Sequence, residues 1–261
     1  MKHIFMVVVF ALLLSHLSRA VSSFVSHVDD RRCAQSNSEA PKVPKHLEAA
    51  RELLGNVKLE DTSYKHGPPS VLWKGSDGAT SYECHTDCSG LIDALLTRSY
   101  GYDRDRFKKW LGKARPTADC YHDRIVEEAG FTNITNLKDA QPGDILAVKY
   151  LPRRENTGHV MLLDGTPKKM APAKTIIDKT EQWEVPIIDS TMSAHGPTDS
   201  RFGKGPDGKD QDGLGQGTLR IYTREDGTIA GFSWSTQPAS RFNKPDDEHI
   251  AIGRLKLEEK K

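Results

Sequence analysis

The residues best placed to do chemistry stand in the run Tyr82-Glu83-Cys84-His85-Thr86-Asp87-Cys88-Ser89-Gly90-Leu91-Ile92. Asp87 suits a helix N-cap, which predicts Cys88 in the first helical turn. There the helix dipole and the free backbone N–H groups favour a thiolate, and the same N–H groups suit an oxyanion. Ser89 and Gly90 are small and leave room for a substrate beside the sulfur. A nucleophilic cysteine needs a base within reach. Downstream, Asn156-Thr157-Gly158-His159-Val160-Met161-Leu162-Leu163 sets His159 between a polar loop and an apolar strand, where it could face that helix start.

Other chemistry competes for these thiols. The chain has four cysteines, Cys33, Cys84, Cys88 and Cys120, and an even count allows two disulfides. A bridged Cys88 could attack nothing, whereas a bridge from Cys84 to Cys120 or Cys33 would spare it. Cys84, His85 and Cys88 could also form half of a zinc site. A structural zinc site needs four ligands, and no second Cys/His pair has suitable spacing.

The elements that must position these groups change texture midway. Pro44 to Gly55 reads as a helix, with Leu47, Ala50, Leu53 and Leu54 on one face. Residues 61–82 are rich in Gly, Pro and Ser and read as loop. Helices are predicted over Cys88–Tyr100, with Gly101 as the stop, and over 103–113 and 119–129. After Pro142-Gly143 come short apolar runs at 145–148, 160–163, 185–188, 218–222, 228–234 and 250–255, which predict strands. Residues 165–182 read as an insertion between two of them. Helices first and a strand meander after is an α+β pattern. Asp207 to Gly213 invites a calcium-loop reading, but the alignment leaves Gly208 and Leu219 where oxygen ligands are needed, so a solvated loop is expected.

The chain has 261 residues, of which 36% are hydrophobic and 28% charged, and a net charge of +1, a balance that gives no reason to expect a nucleic-acid partner. At the N-terminus, Lys2 and His3 precede an apolar run from Ile4 to Leu14, followed by Ser18-Arg19-Ala20. That order is the layout of a secretory signal peptide over residues 1–20. The run is shorter than the ~20 residues that cross a bilayer, so no stable membrane insertion is expected after signal removal. Residues 21–43 then read as a polar, poorly ordered leader, and 44–261 as one hydrolase domain.

In this order, Asp-Cys-Ser-Gly-Leu-Ile at 87–92, Pro-Gly-Asp-Ile at 142–145 and Gly-His-Val at 158–160 resemble the NlpC family of papain-like cell-wall cysteine peptidases. The resemblance spans residues 60–195. It implies a papain-like fold with N-terminal helices packed on an antiparallel sheet, Cys88 as nucleophile and His159 as general base. It also implies a polar residue on the next strand that orients the histidine. This chain offers Asp189 there, where family members often carry His, Asn or Gln. Tyr64 resembles the family's tyrosine upstream of the nucleophile. Tyr64, Asp87, Ser89 and His195 are therefore the candidate substrate contacts, and Asp199–Arg201 could be a structural turn. No metal or cofactor is implied. The expected function is that of a secreted or periplasmic cysteine peptidase or amidase acting on peptidoglycan stem peptides. Two alternatives stand: an amidase or acyltransferase on a non-wall substrate, and a disulfide-bridged secreted module without catalysis.

Overall fold

A computed structural model of the chain describes residues 42–151, 155–205 and 207–257. The expected signal peptide, Cys33 and nearly all of the leader lie outside the described residues. Val43, assigned to the leader by sequence, packs against the core.

Four helices come first: α1 (Lys45–Asn56), α2 (Cys88–Tyr100), α3 (Arg104–Leu111) and α4 (Ala118–Val126). The stretch between α1 and α2, expected to be loop throughout, contains a small sheet. Its strands are β1 (Thr62–Ser63), β2 (Ser70–Leu72) and β3 (Glu83–His85), with β3 in the middle. The other strands build one large antiparallel sheet: β4 (Phe131–Asn133), β5 (Ile145–Tyr150), β6 (Gly158–Leu163), β7 (Lys168–Lys169), β8 (Glu181–Thr191), β9 (Gly213–Thr223), β10 (Ile229–Ser233) and β11 (Glu248–Leu255). Their order is β10-β9-β8-β6-β5-β11-β4, with β7 paired to β8. The architecture is α+β, as the sequence texture predicts. Part of the expected insertion at 165–182 is strand instead: β7 and the start of β8.

The apolar runs of β5 and β6 are continuous because both faces of the sheet are covered. Ile145, Ala147, Val160, Leu162 and Ile188 face the helices. Leu146, Val148, Met161, Leu163, Val185 and Ile187 face a second core that includes Leu219, Ile221 and Phe232. The sheet curls, bringing β10 close to β11 and enclosing that second core.

Helix α2 is the centre of the helical layer. Leu91, Ile92, Leu95 and Leu96 are almost fully buried, and each contributes about 1.5–3 kcal/mol. Asp87 caps the helix by accepting from the Gly90 N–H at 2.8 Å. Gly101 closes it in the left-handed conformation that glycine adopts freely, at φ 69°. Among the described residues, no helix is long and apolar enough to cross a membrane.

Candidate active site

The N-terminus of α2 points at the place where β6 and β8 part. Their pairing ends at Leu162 and Ile188, short of His159 on β6 and Asp189 on β8. Side chains alternate across a strand, and the register puts His159 and Asp189 on one face of the sheet. Two ties fix the helix start against this opening. Ser190 Oγ donates to the Thr86 carbonyl at 2.7 Å, and the Thr86 N–H donates to the Ser63 carbonyl at 3.1 Å.

His159 Nε2 donates to Asp189 Oδ2 at 2.6 Å. The other ring nitrogen is left for Cys88, which gives His159 both its charge and a hydrogen bond. Burial alone would lower the pKa of this imidazole. The Cys88 charge, the hydrogen bonds to Asp189 and Cys88, and the Asp189 charge outweigh burial and lift it to about 10. The arrangement sets a cysteine, an imidazole and a carboxylate in a row at a helix N-terminus. Asp87 takes the N–H groups of Gly90 and Leu91 and leaves those of Cys88 and Ser89 outside the cap.

Asp189 is fully buried and yet held far below the usual carboxylate range. Burial pushes its pKa up; Arg201, His195 and the His159 hydrogen bond push it down and prevail. Arg201 Nη2 lies 2.8 Å from Asp189 Oδ1 and 2.8 Å from Asp199 Oδ2, pairing with both carboxylates. Asp199 grips the Arg201 guanidinium with both oxygens, at 2.9 and 2.8 Å. Arg201 Nη1 reaches the carbonyls of Asp189 and Gly213.

The loop carrying His195, Asp199 and Arg201 lies directly on β9 because that strand reads Gly213-Leu214-Gly215-Gln216-Gly217. A Cβ on Gly215 would sit 2.5 Å from Arg201 Nε, and one on Gly217 would sit 2.6 Å from Asp199 Oδ2. Trp234 was missed in the sequence, and Arg201 was read only as part of a turn with Asp199. Trp234 sits edge-on to His159 and stacks on His195. The alternating glycines were the available signal, since glycine repeated at period two in a strand marks a close approach.

The other candidates fall as follows. Tyr64 stands beside the site: burial first, then the charges of Cys88, Asp87 and Asp189, raise the pKa of its hydroxyl. Asp87 is occupied by its capping bonds and by His66 and Arg115, 3.3 and 3.7 Å from Oδ2. Ser89 Oγ donates to Asp87 Oδ1 at 3.2 Å. His195, expected along a cleft, is buried behind Asp189. Gly90 meets a different need from the one expected, because a Cβ there would lie 2.1 Å from Thr86 Oγ1. Cys84, Cys88 and Cys120 are all free thiols. His159, Asp189 and His195 offer three ligand atoms within 4.8 Å of one another. Both histidines already spend Nε2 on Asp189, and the Arg201 cation at 2.8 Å opposes a metal ion at that carboxylate.

Residues 62–189 match the NlpC/P60 family. The chain is also 36% identical, over 225 residues, to the uncharacterized protein R653 of Acanthamoeba polyphaga mimivirus. That alignment covers 82% of this chain and 97% of the relative. No solved structure matches significantly.

Proposed function

The chain belongs to the NlpC/P60 family, a papain-like class of peptidases and amidases, and from that premise we propose that it is an exported cysteine peptidase cleaving amide bonds of peptidoglycan stem peptides. The observation that carries this reading is the buried hydrogen-bonded row of Cys88, His159 and Asp189 at the start of α2. The Cys88 thiolate attacks the amide carbonyl, and the Cys88 and Ser89 N–H groups receive the oxyanion. His159 gives its proton to the leaving amine nitrogen, and the C–N bond breaks to leave a thioester. Water then attacks that thioester, His159 takes a proton from it, and the acid is released with Cys88 restored as thiolate. Asp189 holds the His159 ring and balances its charge throughout. Tyr64, beside the sulfur, is the candidate contact for substrate. The apolar run from Ile4 to Leu14 supports delivery outside the cytoplasm.

The test is turnover of defined muropeptides by the purified chain, followed by liquid chromatography and mass spectrometry. Cleavage by the native chain and its loss in Cys88→Ala are the expected results. Full turnover in Cys88→Ala would overturn the nucleophile assignment. A thiol that alkylates rapidly while every muropeptide stays intact would replace the wall substrate with another amide or acyl donor.

A further inference from the structure

Asp189 Oδ2 receives a second imidazole. His195 Nε2 lies 2.9 Å from the oxygen that His159 Nε2 approaches at 2.6 Å. On the other side of its ring, His195 Nδ1 lies 2.8 Å from the Trp234 carbonyl oxygen. A backbone carbonyl can only accept a hydrogen bond, and so can an ionised carboxylate. His195 therefore meets an acceptor at each nitrogen, and a ring that donates from both is an imidazolium. We propose that His195 is a standing imidazolium that acts as a positioning residue, clamping Asp189 Oδ2 between two rings so that the carboxylate stays ionised and aimed at His159.

The surroundings support a resident cation. From its own loop, Asp199 Oδ2 accepts from the His195 backbone N–H at 2.8 Å, and Arg201 brings a guanidinium. From β8 comes Asp189, from β6 His159, from β9 Gly217, and beyond β10 the Trp234 carbonyl with its indole stacked at 6.0 Å. His195 and Arg201 thus face Asp189 and Asp199, two cations against two anions, before the Cys88–His159 pair is counted. A buried set of charges is tolerable when balanced and hydrogen-bonded in this way. A neutral His195 would leave either the Trp234 carbonyl or Asp189 Oδ2 facing a bare nitrogen lone pair. Gly217 makes the placement possible, since a Cβ there would lie 2.7 Å from His195 Cδ2.

This role rests on the Cys88–His159 reading, but its first test needs no turnover. The full chain carrying Cys88→Ala is labelled with 15N-histidine, and the ring nitrogens are read by NMR from about pH 5.5 to 8, the range in which an ordinary histidine titrates. His195 is assigned by the signals lost in His195→Gln, or by its Trp234 contact if that variant fails to fold. Two protonated nitrogens throughout are expected; one unprotonated nitrogen at neutral pH overturns the proposal. The second test is kinetic. His195→Gln should lower kcat about 10- to 100-fold with KM within about twofold, as a small misplacement of catalytic geometry does. A kcat near native overturns the positioning role. Activity in Cys88→Ala would defeat the nucleophile and leave the NMR result standing on its own.

Discussion

Two aspartates of this molecule, one buried and one half-buried, have acidities that move in opposite directions. Asp189, on β8, is held well below the ordinary carboxylate value; Asp93, one turn beyond Cys88 on α2, is pushed up to about 7. Burial acts on both in the same direction, against the anion. The difference lies in what each oxygen meets. Asp189 faces Arg201, His195 and His159. Asp93 accepts one hydrogen bond from the neutral Tyr121 hydroxyl at 2.6 Å, feels the Asp87 anion, and gets only a weaker lowering from Arg115. Charge in this protein is thus maintained by built partners, and the effort of building them is concentrated around β6, β8 and β9. A carboxylate supplied with a guanidinium and two imidazoles is poised to act on one of them; one supplied with a phenol is poised to stay neutral.

The sharpest way to break the contrast is to remove the Asp189 charge while keeping its shape. Asp189→Asn should lower kcat by about 10³- to 10⁴-fold, because His159 loses both its counter-charge and the acceptor that fixes its tautomer. The pKa of His159 should fall from about 10, since the Asp189 hydrogen bond and charge that raise it are gone, so the alkaline limb of Cys88 alkylation should move to lower pH. Iodoacetamide labelling across pH reads this without any substrate. An unchanged limb would show that Asp189 does not govern His159.

The reverse change removes a cation. Arg201→Met should destabilise the chain by about 3–5 kcal/mol, the usual cost of stripping one partner from a buried ion pair. Urea unfolding measures it. A loss below about 1 kcal/mol would show that the imidazoles alone carry Asp189.

These two variants separate what the sequence disclosed from what it concealed. The α2 boundaries were legible because Asp87 and Gly101 are local signals, a cap and a left-handed stop. The strands bearing His159 and Asp189 were legible as apolar runs bounded by turns. That both side chains share a face followed from period-two alternation once the strands were paired. Arg201 was legible only as part of a turn with Asp199; its contact with Asp189 was not, because that carboxylate lies on another strand and only tertiary register joins them. His195 was visible as a polar residue, but its burial depends on Gly217 and Trp234, which are adjacent to it only in the fold. Strands β1, β2 and β4 are only two or three residues long and leave too little periodicity to detect.

A smaller perturbation fills the groove under the network. Gly217→Ala would place a methyl 2.6 Å from Asp199 Oδ2 and 2.7 Å from His195 Cδ2. Overpacking of this kind costs about 1–3 kcal/mol, and the displaced loop should also slow catalysis about tenfold. Gly55→Ala is the control: nothing lies within 4 Å of a Cβ there, and the helix should gain stability. Thermal unfolding and turnover of the pair compare them directly. Equal behaviour of the two variants would show that the loop does not need the bare backbone of β9.

The mildest test returns to the other aspartate, and its effect should be stabilising. Asp93 lines a cavity of about 560 Å³ together with Trp73, Tyr102 and Phe107. Its folded-state pKa of about 7 exceeds its ordinary value of 3.8, so between these values the folded chain holds a proton that the unfolded chain has released. Stability therefore falls as pH rises from about 4 to about 7, the sign opposite to that of a salt-bridged carboxylate such as Asp189. Asn keeps an oxygen that can accept from Tyr121 and has no charge to desolvate. Asp93→Asn should thus flatten this part of the stability profile. It should gain about 1–2 kcal/mol above pH 7, less than the full displacement of the pKa implies, because the cavity lets solvent reach the group. At pH 4 the variant and the native chain should match. Denaturant midpoints at both pH values decide it: a loss of stability at pH 8 would mean that Asp93 is ionised and paired in the fold, and the contrast between the two aspartates would collapse.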